Sequence, residues 1–125
     1  MANQNEKGFK RIINACYFSA AGFKAVWTHE EAFRQEVLLF IVTAPLAIWL
    51  GRTPIEKLLL IGSVVLVLLV ELLNSAIEAI VDRVGLERHE LSGRAKDIGS
   101  ALVFTSLILL ALVWGIIAAH RFLPL

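Results

Sequence analysis

The chain has 125 residues, of which 58% are hydrophobic, with a formal net charge of +1 and a mean hydropathy of +0.73. It is too apolar for an ordinary small soluble domain, and its apolar residues gather in three long runs, Val37–Leu50, Leu58–Val81 and Ile98–Ala119. The expectation is a single all-α membrane domain over 1–125, with a surface helix followed by three spans.

Residues 7–27 are predicted to form an amphipathic helix lying in the membrane surface. Phe9, Ile12, Ile13, Cys16, Ala20, Phe23 and Trp27 recur mostly at three- and four-residue steps, with Lys7, Lys10, Arg11 and Lys24 between them. A solvated, partly ordered tail is the competing reading. No signal-peptide core follows a charged start, so the segment is expected to remain in the mature protein. Cys16 is the sole cysteine, which leaves no disulfide or zinc framework.

The first span is expected over about 29–50. Its apolar run, Val37–Leu50, is 14 residues long, short of the ~20 needed to cross a bilayer. Thr28-His29-Glu30-Glu31 reads as a capping box that would lengthen the helix to roughly 33 Å. Glu30, Glu31, Arg34, Gln35 and Glu36 would then lie in the headgroup zone. Pro45 removes one backbone donor, which membrane helices tolerate.

The second span, about 58–81, carries Glu71, Asn74, Ser75 and Glu78 in a predominantly apolar run. With Asp82 just past its end, Glu71, Asn74 and Glu78 follow the spacing i, i+3, i+7, i+11 and project from one face of one helix. A charge at mid-bilayer costs about 2.5–3.5 kcal/mol on insertion scales, so this face must meet protein or water and marks a candidate functional site. The third span is expected over about 98–119.

Basic residues near the span ends set the topology. The N-terminal arm and first-span entrance carry Lys7, Lys10, Arg11, Lys24 and Arg34, and the 82–97 loop carries Arg83, Arg88, Arg94 and Lys96, against Arg52, Lys57 and Arg121 on the other side. The N-terminus and the 82–97 loop are therefore predicted to be cytoplasmic. His29, His89 and His120 lie in separate segments without ligand spacing, although His89 could donate a hydrogen bond from the loop. Trp27, Trp49 and Trp114 suit interfacial belts or packing, and no P-loop or soluble-kinase glycine loop occurs.

Carboxylates from two helices, Glu30 and Glu78, with Lys96, Arg88 and Arg11 nearby, could hold a hydrated divalent cation and the phosphates it bridges. Glu71 would sit about 10 Å deeper, seven residues at ~1.5 Å each, where it could act as general base on a hydroxyl offered from the lipid. The same buried glutamates would also suit a small proton-coupled transporter, and periodicity alone does not separate enzyme from carrier.

The stretch Glu71-Leu-Leu-Asn-Ser-Ala-Ile-Glu78-Ala, continuing through Val81-Asp-Arg-Val-Gly to His89-Glu-Leu-Ser-Gly-Arg-Ala-Lys-Asp-Ile-Gly-Ser100, resembles the signature of the prokaryotic diacylglycerol kinases, small integral-membrane lipid kinases of the Gram-negative inner membrane. The likeness extends to Gly8-Phe-x-Arg11-Ile-Ile, Gly22-x-x-Ala-x-Trp27 and Glu30-x-Ala-Phe-Arg-Gln-Glu36, and so covers nearly the whole chain.

That resemblance implies a homotrimer of three-span subunits with active sites shared between subunits, which would also help to bury the polar stripe. It implies transfer of the γ-phosphoryl of MgATP to the hydroxyl of diacylglycerol, with no nucleic-acid partner. Carried over by position, Glu71 would be the general base, with Asn74 orienting the base or the acceptor hydroxyl. Glu30 and Glu78 would hold Mg²⁺. Arg11, Phe18, Glu87, Arg88, His89, Lys96 and Asp97 would surround ATP together with those two glutamates. Arg11, Ser19, Lys24, Trp27, Phe33, Arg34, Gln35, Glu36, Trp49 and Ser100 would line the lipid side along with Glu71. The chain departs from the pattern where Phe18 and Ala20 replace Tyr and Trp, and where Lys24 replaces Arg, keeping the charge without the bidentate fork. Gram-positive relatives of the same fold phosphorylate undecaprenol, which is the alternative lipid.

Overall fold

The computed structural model describes residues 7–124, all of whose regular structure is helical. Four helices follow one another: α1 (Phe9–His29), α2 (Glu31–Leu50), α3 (Pro54–Val84) and α4 (Glu90–Phe122). The last three are long and apolar enough to cross a membrane. The chain is thus a membrane protein with three candidate spans, and it divides between Glu31 and Ala32 into two compact units.

The first unit is built on α1, which buries none of its residues. Phe9, Ile12, Tyr17, Phe23 and Trp27 are exposed along it. The helix runs through His29, and its last turn is closed by the Glu30 N–H donating to the Val26 carbonyl at 2.9 Å. The expected capping box at Thr28 is therefore absent. The residues before Thr28 are already helical, so its hydroxyl donates back to the Lys24 carbonyl at 2.7 Å and starts no new helix. Glu30, in extended conformation, separates α1 from α2.

The second unit contains the three candidate spans. A capping box does form here, at α3: the Thr53 hydroxyl accepts from the Glu56 N–H at 3.1 Å, and the Glu56 carboxylate accepts from the Thr53 N–H at 3.1 Å, with Pro54 in the first turn where no donor is needed. The α2–α3 turn is tight. A Cβ on Gly51 would lie 2.9 Å from the Lys57 backbone nitrogen, so only glycine fits.

The core of this unit gathers Ala47 and Leu50 of α2, Leu60 of α3 and Ile117 of α4, flanked by Ile61, Val113, Trp114 and Ala118. The Trp114 indole N–H donates to the Leu60 carbonyl at 3.2 Å. Nearby, Trp49 packs on Phe122 with ring centroids 5.9 Å apart, and the Arg121 guanidinium lies 5.9 Å from the Trp49 ring. From this end α3 and α4 pack against one another, and the turn Gly85–His89 joins them at the far end. With 31 and 33 residues, they are about 46 and 50 Å long, well over a ~30 Å hydrocarbon core. Their facing ends past Val81 and before Ile98 thus extend beyond the predicted spans and frame a cleft.

Candidate active site

The buried face of α3 changes character along its length. Leu60, Val64 and Val67 give way to Glu71, Asn74 and Ser75, all buried, and then to half-buried Glu78. The 3.6-residue period puts these side chains on one face, as the sequence spacing requires. The Asn74 Nδ2 donates to Glu78 Oε1 at 3.4 Å. The Oδ1 of Asn74, the Oγ of Ser75 and the Oε2 of Glu36 are buried without a hydrogen-bond partner. Buried polar atoms are ordinarily satisfied, so these three stand out among the described residues.

One turn beyond Glu78, the Lys96 ammonium of α4 meets the Asp82 carboxylate at 2.8 Å. Lys96 precedes the apolar stretch of α4, and the hydrogen bond to Asp82, followed by the charge of Asp82, raises its pKa, so it stands as a fixed cation. The pair borders a cleft of about 580 Å³ lined by Val81, Asp82, the Gly85–Glu90 turn, Ser92, Gly93 and Lys96. His89 is the N-cap of α4, its Nδ1 accepting from the Leu91 N–H at 3.1 Å, which leaves Nε2 as its donor. Glu87 and Arg88 are exposed on the turn that lines this cleft together with Lys96.

Of the residues singled out in the sequence, Glu71, Asn74 and Glu78 share the α3 face, and Glu87, Arg88, His89 and Lys96 share the cleft. Asp97 turns aside into a shallower hollow with Glu90, Gly93 and Arg94, and Ser100 is exposed on α4. On α2, Phe33 is buried, Arg34 and Glu36 are half-buried and Gln35 is exposed. Trp49 sits at the opposite end of the unit, against Phe122 and Arg121. Arg11, Phe18, Ser19, Lys24, Trp27 and Glu30 belong to the first unit. There Ser19 donates to the Ala15 carbonyl at 2.8 Å. Asp82 as the partner of Lys96 was not assigned in the sequence reading. The signal was present, since Asp82 continues the i+4 step from Glu78.

Among the described residues, no three His, Cys, Asp or Glu side chains gather as a ready-made metal site. The donors around Glu78 are carboxylate and amide oxygens, a hard set.

The sequence profile of the family described as prokaryotic diacylglycerol kinase matches residues 17–118. The diacylglycerol kinase of Escherichia coli (strain K12) is 51% identical over 122 residues, 98% of this chain and 99% of that protein. The diacylglycerol kinase of Haemophilus influenzae is 52% identical over 108 residues, 86% and 92% of the two chains, and that of Helicobacter pylori (strain 26695) is 44% identical over 109 residues, 87% and 85%. A membrane-embedded kinase is the class that the three spans, the buried carboxylates and these relatives define together. The chain belongs to the prokaryotic diacylglycerol kinase family. It is an enzyme, and that membership decides between a kinase and a carrier.

Proposed function

We propose that this protein phosphorylates diacylglycerol with ATP, producing phosphatidic acid at the cytoplasmic face of the bacterial inner membrane, as a homotrimer whose subunits share active sites. The observation that carries the reading is the line of buried Glu71 and Asn74 and half-buried Glu78 on α3, which leads towards the cleft bearing Lys96 and the Glu87-Arg88-His89 turn. A lipid alcohol reaches such a line from the bilayer and a nucleotide reaches it from water. The names of the relatives favour diacylglycerol over undecaprenol as acceptor.

Glu71, shielded from solvent, takes the proton of the lipid hydroxyl as that oxygen bonds to the γ-phosphorus and the bond to the β-phosphate oxygen breaks, releasing ADP. Asn74, one turn away, holds Glu78 through its amide N–H. Arg11, Arg88 and Lys96 offset phosphate charge, while Glu87, His89, Asp97 and the Phe18 ring complete the nucleotide surround. Glu30 and Glu78 would hold Mg²⁺, which fits the oxygen-only donor set and supplies charge neutralisation of the phosphates when bound. Two carboxylates suffice, because Mg²⁺ is usually completed by substrate phosphates and water. Ser19, Lys24, Trp27, the Phe33–Glu36 turn, Trp49 and Ser100 form the lipid side, with α1 lying amphipathically in the cytoplasmic surface. Unpartnered acceptors on Asn74, Ser75 and Glu36 support completion of the site by substrates and neighbouring subunits.

Purified protein in bicelles, given γ-labelled ATP, Mg²⁺ and either diacylglycerol or undecaprenol, should label diacylglycerol. Label on undecaprenol alone would transfer the assignment to the polyprenol, and label on neither lipid would overturn the proposal.

A further inference from the structure

We infer that Gly99 is a positioning residue for phosphoryl transfer: by carrying no side chain where α4 packs on α3, it lets Asn74 keep the rotamer that binds Glu78. The inference rests on the roles proposed above for Asn74 and Glu78.

Gly99 is buried in α4. A Cβ on its backbone would run into Asn74 Oδ1 and come within 3.3 Å of Asn74 Cγ, while a Cβ on Gly62 of α3 or Gly115 of α4 would meet nothing within 4 Å. The atoms it would meet belong to the amide and not to the α3 backbone, so the helices need not part; the Asn74 side chain must turn. That side chain has little freedom, being 9% exposed, with Nδ2 bonded to Glu78 Oε1 at 3.4 Å. Turning it breaks this bond and redirects Oδ1, a buried acceptor that has no partner among the described residues. Glycine inside a helix is weaker than alanine in the same place, because it leaves the backbone more freedom to lose on folding. A buried mid-helix glycine therefore calls for a compensating reason, and contact with Asn74 supplies one. Separated by 25 positions in sequence, the two residues meet only through helix packing.

The test compares Gly99→Ala, Asn74→Ala, the double variant and Gly115→Ala with wild type in one bicelle preparation, reading kcat, lipid KM, the Mg²⁺ concentration for half-maximal rate, and thermal unfolding. Gly99→Ala should lower kcat about 10-fold or more, raise the Mg²⁺ requirement, and leave lipid KM and unfolding temperature nearly unchanged. In the Asn74→Ala background the same substitution should cost nothing further, because the atoms it collides with are gone. Gly115→Ala should behave as wild type. Wild-type kcat in Gly99→Ala would overturn the inference, and so would losses that multiply in the double variant or an equal loss in Gly115→Ala. If Gly99→Ala fails to fold, the double variant decides: recovery of the Asn74→Ala rate supports the contact, and failure to recover refutes it. Absence of lipid phosphorylation by wild type would instead sink the proposed function, so the two failures are distinguishable.

Discussion

One face of α3 is buried along two regions that differ in how completely the chain satisfies them. Near the α2–α3 turn, Leu60, Val64 and Val67 are at most 1% exposed, and the polar groups among them are paired: Ser63 donates to the Leu60 carbonyl at 2.9 Å and Trp114 to the same oxygen at 3.2 Å. Towards the cleft, Glu71, Asn74 and Ser75 are almost as buried, at 4%, 9% and 6%, yet Asn74 Oδ1 and Ser75 Oγ lack partners among the described residues. Leaving a buried acceptor unsatisfied costs about 1–3 kcal/mol. The first region is closed by its own contacts, while the second holds the residues proposed above to meet the substrates.

The largest expected separation of the two regions comes from Leu60→Ala. Removing a fully buried leucine from the closed region should destabilise the protein by about 2–5 kcal/mol, measured as a shift in denaturation by steric trapping or denaturing detergent. Turnover per folded molecule should remain close to wild type. A large drop in turnover with stability intact would erase the division of labour.

Glu71→Gln probes the open region. It keeps volume and hydrogen-bonding capacity but cannot take the hydroxyl proton, so kcat should fall about 10²-fold or more while ATP affinity and stability change little. Wild-type turnover in this variant would remove Glu71 as base and leave the kinase assignment standing.

A smaller effect is expected at saturating metal from Glu78→Gln. Its rate should be partly restored by high Mg²⁺, with the half-maximal concentration raised about 10-fold, the scale on which ligand-shell changes alter metal affinity. Glu30→Gln should behave in parallel. Unchanged Mg²⁺ titrations in both would mean that these carboxylates are only solvated at the interface.

Which polar residues share a face was legible at once, because a single α-helix fixes the angular spacing of Glu71, Asn74, Glu78 and Asp82 whatever surrounds it. Helix ends were less legible. Thr28 and Thr53 both begin a Thr-x-x-Glu pattern, but Thr28 lies within α1 and bonds back to Lys24, while Thr53 follows a break and precedes Pro54. The local motif is the same, and the preceding backbone chooses between them. Trp49, grouped by resemblance with the lipid-side residues, lies against Phe122 and Arg121 at the far end of the second unit, a placement set by where α2 meets α4.

The apolar character of the chain, its three candidate spans and the polar line on the second of them were legible in the sequence, since hydropathy and helical period are properties of neighbours along the chain. The tertiary structure decided which groups meet across helices: Lys96 with Asp82, Trp114 with the Leu60 carbonyl, Gly99 with Asn74. Those pairs lie 14, 54 and 25 positions apart. No periodicity links residues on different helices; their meeting depends on the rotation and offset with which α3 and α4 pack, and these are set by side-chain shape along the whole contact.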